Sequence, residues 1–229
     1  MTEVQDYSGN LYIFASKKMN LSETETLIWD WNGTLLDDVD ANVKVINKML
    51  LKRDLPLLDL HTYKDIFCFP VKLFHIRIGI DFSKESIEEI SAEYMELYKS
   101  YESCLKLNAD APFILDSINA KGIDQYILSA AGKNDLLRML DHFHLTDKFK
   151  GIYGSEDICA TGKVGIGQKL IKDNSLNPDK AIIIGDTVHD AEVAKTLGIK
   201  CILYAGGHNS YDLLKSESKV IVNLKDIDI

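Results

Sequence analysis

The segment Thr26-Leu27-Ile28-Trp29-Asp30-Trp31-Asn32-Gly33-Thr34 places an aspartate between an apolar run and a glycine turn. A short apolar run bounded by turn residues predicts a buried strand, and this one ends at Asp30. The segment Ala181-Ile182-Ile183-Ile184-Gly185-Asp186 has the same arrangement. Because the carboxyl ends of neighbouring parallel strands open on one crevice, we expect Asp30 and Asp186 to lie close together.

Three further polar residues fit this crevice. The apolar run 125–128 ends at Ser129, and Lys163 and Asp190 lie at the start of predicted helices. Each alone has a simpler explanation, as a turn hydroxyl, a surface lysine or a helix cap. Together, several acids, a hydroxyl and a lysine are typical of a divalent cation that holds a phosphoryl group for attack by an aspartate.

With these four segments in this order, the chain resembles the haloacid dehalogenase superfamily from about Leu27 to its end. The resemblance implies that Asp30 is the nucleophile and becomes an aspartyl-phosphate. It implies that Ser129 donates a hydrogen bond to the transferring phosphoryl group and that Lys163 stabilises the charge of that group. The implied enzyme is a phosphatase similar to phosphoglycolate phosphatases.

The resemblance also implies a metal site. Asp30, the backbone carbonyl of Asn32 and Asp186 are expected to bind Mg²⁺, which oxygen-only ligands favour over zinc. Asp190 is expected either in the outer shell of the metal or in contact with Lys163. Three acids in a dry crevice repel one another, so the site needs a cation if all of them are ionised.

Asn32 departs from the pattern of the family, whose phosphatases usually carry an aspartate at this position. That second acid protonates the leaving alcohol and then activates water. An amide can do neither, because it has no proton to exchange near neutral pH. The metal-binding role survives, since it uses the backbone.

Candidate substrate contacts are Gly33, Thr34, Ala130, Lys72 and His208. Gly33 allows a tight turn that brings backbone amides towards a phosphate, and Thr34 is expected to support that loop. Lys72 follows Asp30 by 42 positions, near His75. Phosphonoacetaldehyde hydrolases of the same superfamily have a Schiff-base lysine at a similar distance and a non-acidic second residue in the first motif. A solvated lysine is the alternative. His208 either contacts substrate or is an ordinary loop residue.

The alternation of strands and helices predicts an α/β fold, a Rossmann-like parallel sheet with helices on both faces. Strands are expected at 125–129, 151–154, 181–185 and 201–204, and helices at 133–142, 163–173 and 189–197. The core comprises 22–36 and 109–229. Residues 37–108 form an inserted helical cap, in which a stripe that includes Tyr94 and Tyr98 is expected to be packing surface. Residues 1–21 are an N-terminal extension or an extra edge segment, without an assigned function.

Composition narrows the class of partner. The 229 residues allow one core domain and one modest insertion. A net charge of −9 argues against nucleic acid or an anionic membrane as the partner. No apolar run approaches the ~18 residues of a membrane span. Four widely spaced cysteines suggest free, buried thiols and a cytoplasmic protein. The oligomeric state stays open.

These observations favour a Mg²⁺-dependent phosphatase that acts on a small phosphorylated metabolite, which the sequence does not name. A C–P bond hydrolase that uses Lys72 is one alternative. The other is a weakly active or inactive protein that retains a phosphate-binding pocket, and only Asn32 favours it.

Overall fold

The computed structural model describes residues 23–156 and 162–228, together with the backbone of three short strands before residue 23. The strands are β1 (Thr2–Gln5), β2 (Leu11–Phe14), β3 (Met19–Asn20), β4 (Thr26–Trp29), β5 (Leu36–Asp37), β6 (Lys106–Leu107), β7 (Asp124–Gly132), β8 (Gly151–Ser155), β9 (Ala181–Gly185), β10 (Lys200–Tyr204), β11 (Lys219–Ile221) and β12 (Ile227–Asp228). The helices are α1 (Val39–Lys52), α2 (Leu60–Ile66), α3 (Val71–Arg77), α4 (Ile87–Lys99), α5 (Ala111–Ala120), α6 (Lys133–His142), α7 (Val164–Asn174), α8 (Val188–Leu197) and α9 (Tyr211–Leu214).

The main sheet has six parallel strands in the order β11-β10-β9-β4-β7-β8. From β4 the chain continues to β7 and β8 on one side, and later to β9, β10 and β11 on the other. Trp29 pairs with Ile127 of β7 and with Ile184 of β9, so these three strands end at the same level. A reversal of strand order of this kind opens a crevice at the carboxyl ends of the strands.

Helices cover both faces of the sheet. Side chains alternate along β4, so Leu27 and Trp29 pack in the cluster that includes α5 and α6. Ile28 points the other way and packs with Leu170 of α7 and Val193 of α8. The predicted α/β fold is therefore confirmed.

The long excursion of the chain between β5 and β6 contains α1, α2, α3 and α4. β5 and β6 pair antiparallel, with Leu36 opposite Leu107, so the two crossings to and from the sheet lie side by side. α4 begins at Ile87 because Ser86 and Glu89 form a reciprocal capping box.

Most predicted bounds in the sheet agree with the structure, and α6 spans the predicted residues 133–142. β7 runs further than predicted, to Gly132, since Gly132 pairs with Ser155 beyond an irregularity in the register. Before residue 23, β1 pairs with β2 and β3 pairs with β12, so none of these described strands joins the main sheet as an edge.

The structure describes three of the four cysteines. Cys68, Cys104 and Cys201 are free thiols as predicted, but Cys68 and Cys201 are only half-buried and Cys104 is exposed. Cys159 lies outside the described residues. None of the described helices is long and apolar enough to cross a membrane.

Candidate active site

The ends of three neighbouring strands hold the predicted polar residues. Asp30 and Asp186 come directly after β4 and β9. The backbone N–H of Asp30 donates to the carbonyl of Ile184 over 2.8 Å, which continues the sheet by one residue. Ser129 lies within β7 and lines the same cavity as Asp30. The sheet itself therefore fixes the position of these side chains.

Lys163, the N-cap residue of α7, is buried beside the carboxylates. Its Nζ lies 2.7 Å from Oδ1 of Asp30 and 2.7 Å from Oδ1 of Asp190. Carboxylate oxygens of Asp30, Asp186 and Asp190 lie within 4.8 Å of one another. Three carboxylates and one ammonium leave excess negative charge when all of them are ionised. Buried charges are costly unless each is compensated, so this cluster favours a further cation.

The protonation of the acids reflects this excess. Burial raises the pKa of Asp30 well above its usual value, and the charges of Asp190 and Asp186 add to the rise, while Lys163 opposes it. Burial likewise raises the pKa of Asp186. Burial acts to lower the pKa of Lys163, but the charges of Asp190 and Asp30 outweigh it and raise that pKa. Lys163 is therefore a permanent cation in the site.

Asp190 is tied to Lys163 by its surroundings. Its Oδ2 accepts hydrogen bonds from the side chain of Thr187 at 2.7 Å and from the backbone of Thr187 at 3.0 Å. Burial acts to raise the pKa of Asp190, but the charge and hydrogen bond of Lys163 lower it. Of the two roles that the sequence left open for Asp190, these contacts support the orientation of Lys163.

The carboxylate of Asp186 lies between two loops that contain Gly33 and Gly207. Its Oδ1 accepts from the hydroxyl of Thr34 at 2.8 Å, and its Oδ2 accepts from the backbone N–H of His208 at 2.6 Å. A Cβ atom on Gly33 would lie 2.3 Å from Oδ2 of Asp186, and one on Gly207 would lie 2.1 Å from it. Gly33 also has a φ of +74°, which favours glycine. Both loops therefore need glycine in order to approach this carboxylate.

Ser129 and Ala130 both line the cavity next to Asp30. Ser129 is fully buried, and its Oγ accepts from the backbone N–H of Ala131 over 3.1 Å. The structure does not bring Lys72 to this place. Lys72 is exposed, its ammonium lies 5.1 Å from the centre of the Phe82 ring, and it does not line the cavity.

Asp38 is a buried acid that was not among the site residues predicted from the sequence. It is the N-cap residue of α1, but its side chain makes no cap hydrogen bond. Its Oδ2 instead accepts from Asn32 Nδ2 at 2.7 Å, from the hydroxyl of Tyr98 at 2.7 Å and from Asn42 Nδ2 at 2.8 Å. Its Oδ1 accepts from the backbone N–H of Gly33 at 2.8 Å. The side chain of Asn32 thus faces a carboxylate.

His208 connects this network to α2. Its Nε2 lies 3.3 Å from Oδ1 of Asp38, and its Nδ1 lies 2.9 Å from the hydroxyl of Tyr63. Burial acts to lower the pKa of His208, but the charge of Asp38 and the hydrogen bond to it outweigh burial and raise that pKa. Asp38 is almost fully buried, so it is not the exposed helix cap that its position before α1 suggests in the sequence.

A cavity of about 190 Å³ opens over these residues. Asp30, Asn32 and Lys163 line one end, and side chains from α2 to α4 line the other. Tyr94 and Tyr98 form part of this wall, so the stripe on α4 is not packing surface alone.

The comparison with known proteins agrees with this geometry. A family model described as haloacid dehalogenase-like hydrolase matches residues 27–204. The chain belongs to this family of hydrolases. The resemblance inferred from the four segments is thereby confirmed.

Individual relatives are distant. The chain is 25% identical over 194 residues to a 5'-nucleotidase of Pseudomonas aeruginosa, covering 83% of this chain and 86% of that protein. It is 26% identical over 192 residues to a phosphoglycolate phosphatase of Rhodobacter capsulatus, covering 82% and 87%. A crystal structure of a predicted phosphatase from Clostridium acetobutylicum superposes with a TM-score of 0.72 at 23% identity, covering 89% and 95%. This last likeness concerns the fold alone.

Proposed function

We propose that the protein is a Mg²⁺-dependent phosphatase that hydrolyses a small phosphorylated metabolite in the cytoplasm. The observation that carries this proposal is the buried cluster of Asp30, Asp186, Asp190 and Lys163 at the carboxyl ends of adjacent strands. Membership of the hydrolase family supports it, as do the names of the two relatives, both of which act on phosphate esters. The free thiols suit a reducing compartment.

Asp30 is the nucleophile in this proposal. Lys163 and the backbone N–H of Trp31, which donates over 2.6 Å, both hold its Oδ1. The other oxygen is then free to bond to phosphorus as the ester P–O bond breaks and its electron pair leaves with the alcohol oxygen. Water next attacks phosphorus of the aspartyl-phosphate, which releases phosphate and restores the carboxylate. Lys163 and the hydroxyl of Ser129 stabilise charge on the phosphoryl oxygens.

The donor set fits Mg²⁺. The acids supply oxygen ligands only, they are buried, and they carry more negative charge than Lys163 balances. Asp30, Asp186 and the backbone carbonyl of Asn32 would hold the ion, with Asp190 behind them. When bound, Mg²⁺ supplies positive charge that keeps these acids ionised and neutralises phosphoryl oxygens.

The helices between β5 and β6 act as a cap over this site, with residues 37–108 as the cap domain. Their side chains form one end of the cavity, so they exclude water and contact the leaving group. A C–P hydrolase with a Schiff base at Lys72 gains no support from the geometry, because that lysine is exposed and lies outside the cavity wall.

The test is hydrolysis of p-nitrophenyl phosphate by the purified protein. We expect turnover with Mg²⁺, loss of turnover on chelation, and loss of at least about a thousandfold in Asp30→Asn, which keeps the shape of the side chain. Circular dichroism controls for folding of the variant. Undiminished turnover in Asp30→Asn would contradict the assignment of the nucleophile. Binding of phosphate without any turnover would instead indicate a binding protein.

A further inference from the structure

The far wall of the cavity is apolar and rich in aromatic rings. It includes Phe67, Phe69, Phe74, Tyr94, Met95 and Leu136. The cavity holds about 190 Å³. An apolar protein cavity of about 150 Å³ is large enough to bind benzene. The cavity, which Asp30, Ser129 and Lys163 also line, is therefore of the size that one aromatic ring requires.

The cationic residues that line the cavity are already paired. Among the described lining residues they are Lys163, which contacts Asp30 and Asp190, and His208, which contacts Asp38 and Tyr63. Burial lowers the pKa of His75, a third basic residue in the wall, to about 4, so it is neutral. No described group in this wall is left to pair with a carboxylate on the substrate.

The rim of the cavity is acidic. Glu102 and Asp135 line it, and both accept hydrogen bonds from Arg138 at 2.6 to 3.0 Å. The guanidinium of Arg138, which does not itself line the cavity, is engaged by these two acids. A second negative charge on the substrate would therefore meet repulsion or an occupied partner.

Of the described residues around Asn32, none is left free to protonate the leaving group. The amide of Asn32 has no proton to transfer near neutral pH. Asp38 acts only as an acceptor in its hydrogen bonds. Both ring nitrogens of His208 face protein partners. An aliphatic alcohol leaves poorly without a proton, whereas a phenol, with a pKa of about 10, leaves readily as the phenolate.

We propose that the substrates are phosphate monoesters of uncharged aromatic alcohols, with the ring held against the aromatic wall. This proposal rests on the phosphatase function proposed above. Asp30 bonds to phosphorus while the aryl P–O bond breaks, and the phenolate takes its proton from water. The absence of an acid at Asn32 then matches the chemistry of the leaving group.

Direct binding of phosphonates tests this preference without the bias of leaving-group reactivity. We would titrate the Mg²⁺-loaded protein by calorimetry with benzylphosphonate, ethylphosphonate and phosphonoacetate. We expect benzylphosphonate to bind at least about tenfold more tightly than ethylphosphonate, because its ring leaves water, and phosphonoacetate to bind most weakly. Equal affinities, or tightest binding of phosphonoacetate, would overturn the substrate class while hydrolysis of p-nitrophenyl phosphate still upheld the phosphatase. Failure to bind any of them would also overturn the substrate class, whereas the phosphatase function would be overturned only by absence of p-nitrophenyl phosphate hydrolysis.

Met95 offers a matched pair of variants. It is half-buried in the wall and belongs to none of the polar networks above. Met95→Lys should abolish the preference for benzylphosphonate and strengthen binding of phosphonoacetate, since it adds a cation to the wall. Met95→Leu should stay within about twofold of the wild type in both, because the two side chains have similar volume. Identical binding by Met95→Lys and wild type would show that this wall does not contact the ligand.

Discussion

Asn32 and Asp38 form a complementary pair at the residue scale. The Asn32 amide donates to Oδ2 of Asp38 at 2.7 Å, and that oxygen also accepts from Tyr98 and Asn42. The aspartate that the family usually carries at position 32 would place a second carboxylate against the first. The amide at residue 32 is thus matched to the buried acid at residue 38.

Asn32→Asp alone should therefore destabilise the protein, by about 1–3 kcal/mol, because it replaces a buried hydrogen bond with the repulsion of two carboxylates. Asn32→Asp combined with Asp38→Asn should recover much of this loss, since an amide again faces a carboxylate. Urea unfolding of the four combinations measures the coupling between the sites. Additive effects of the two substitutions would contradict the pairing.

The sequence predicted some site residues better than others for a physical reason. Asp30 and Asp186 each follow an apolar run, and the strand that such a run forms determines where the next residue lies. Asp38 precedes a helix, where aspartate usually caps the backbone. Its actual partners, such as Tyr98, are distant in the sequence, so no local pattern indicates them.

At the scale of elements, the loop after β10 joins the sheet to α2. Asn209 Oδ1 accepts from the backbone N–H of Val188 at 2.9 Å, and its Nδ2 donates to the carbonyl of Phe67 at 2.8 Å. The backbone N–H of Ser210 donates to the carbonyl of Lys64 at 3.1 Å. One buried amide therefore connects the start of α8 to the end of α2.

Asn209→Ala should cost about 1–3 kcal/mol of stability, because it leaves a partly buried backbone donor and a partly buried backbone acceptor without their partner. Asn209→Asp keeps an acceptor for Val188 but loses the donor to Phe67, which disturbs the position of α2. We therefore expect the KM of this variant to rise by a larger factor than its kcat falls. Thermal unfolding and steady-state kinetics measure both effects. Unchanged stability in Asn209→Ala would show that the loop is held by other contacts.

His75, on α3, gives this part of the fold a dependence on pH. Burial lowers its pKa to about 4, with a smaller effect from the charge of Arg53. The unfolded chain binds a proton at this residue near pH 6.5, where the folded chain does not. The stability that the neutral ring contributes is therefore complete above about pH 6.5 and is lost progressively towards pH 4, by up to about 3 kcal/mol.

His75→Phe removes this titration and keeps the volume. Its free energy of unfolding, measured in urea, should fall less than that of the wild type between pH 7 and pH 4.5. Parallel curves for the two proteins would mean that His75 is not held neutral.

The strands of the main sheet and the helices that pack on it were predicted well. Each of these strands is a single apolar run, and each of these helices is amphipathic. α2 and α3 were not predicted as separate helices, because each has only seven residues and too few turns to establish a helical period. They nevertheless carry Tyr63 and Phe74, which line the cavity. The part of the cavity wall that α2 and α3 form was thus the part that local patterns describe least.

At the scale of the whole molecule, the parallel sheet and the helices between β5 and β6 contribute different parts of the cavity. β4, β7 and β9 carry the proposed reacting groups, and the inserted helices line the rest of the cavity. Family membership and the order of the segments indicate the proposed reaction, whereas we expect the substrate to depend on the inserted helices. The sequence could therefore suggest the chemistry and not the substrate.

The central claim is that Asp30 forms a covalent bond to phosphorus, and trapping that bond tests it most directly. The protein would be mixed with excess p-nitrophenyl phosphate and Mg²⁺, quenched in acid within one turnover, and treated with borohydride, which reduces an acyl-phosphate to an alcohol. Peptide mass spectrometry should then find homoserine in place of Asp30, in wild type and not in Asp30→Asn. Turnover with no modification at Asp30, or with modification at a different carboxylate, would contradict the account.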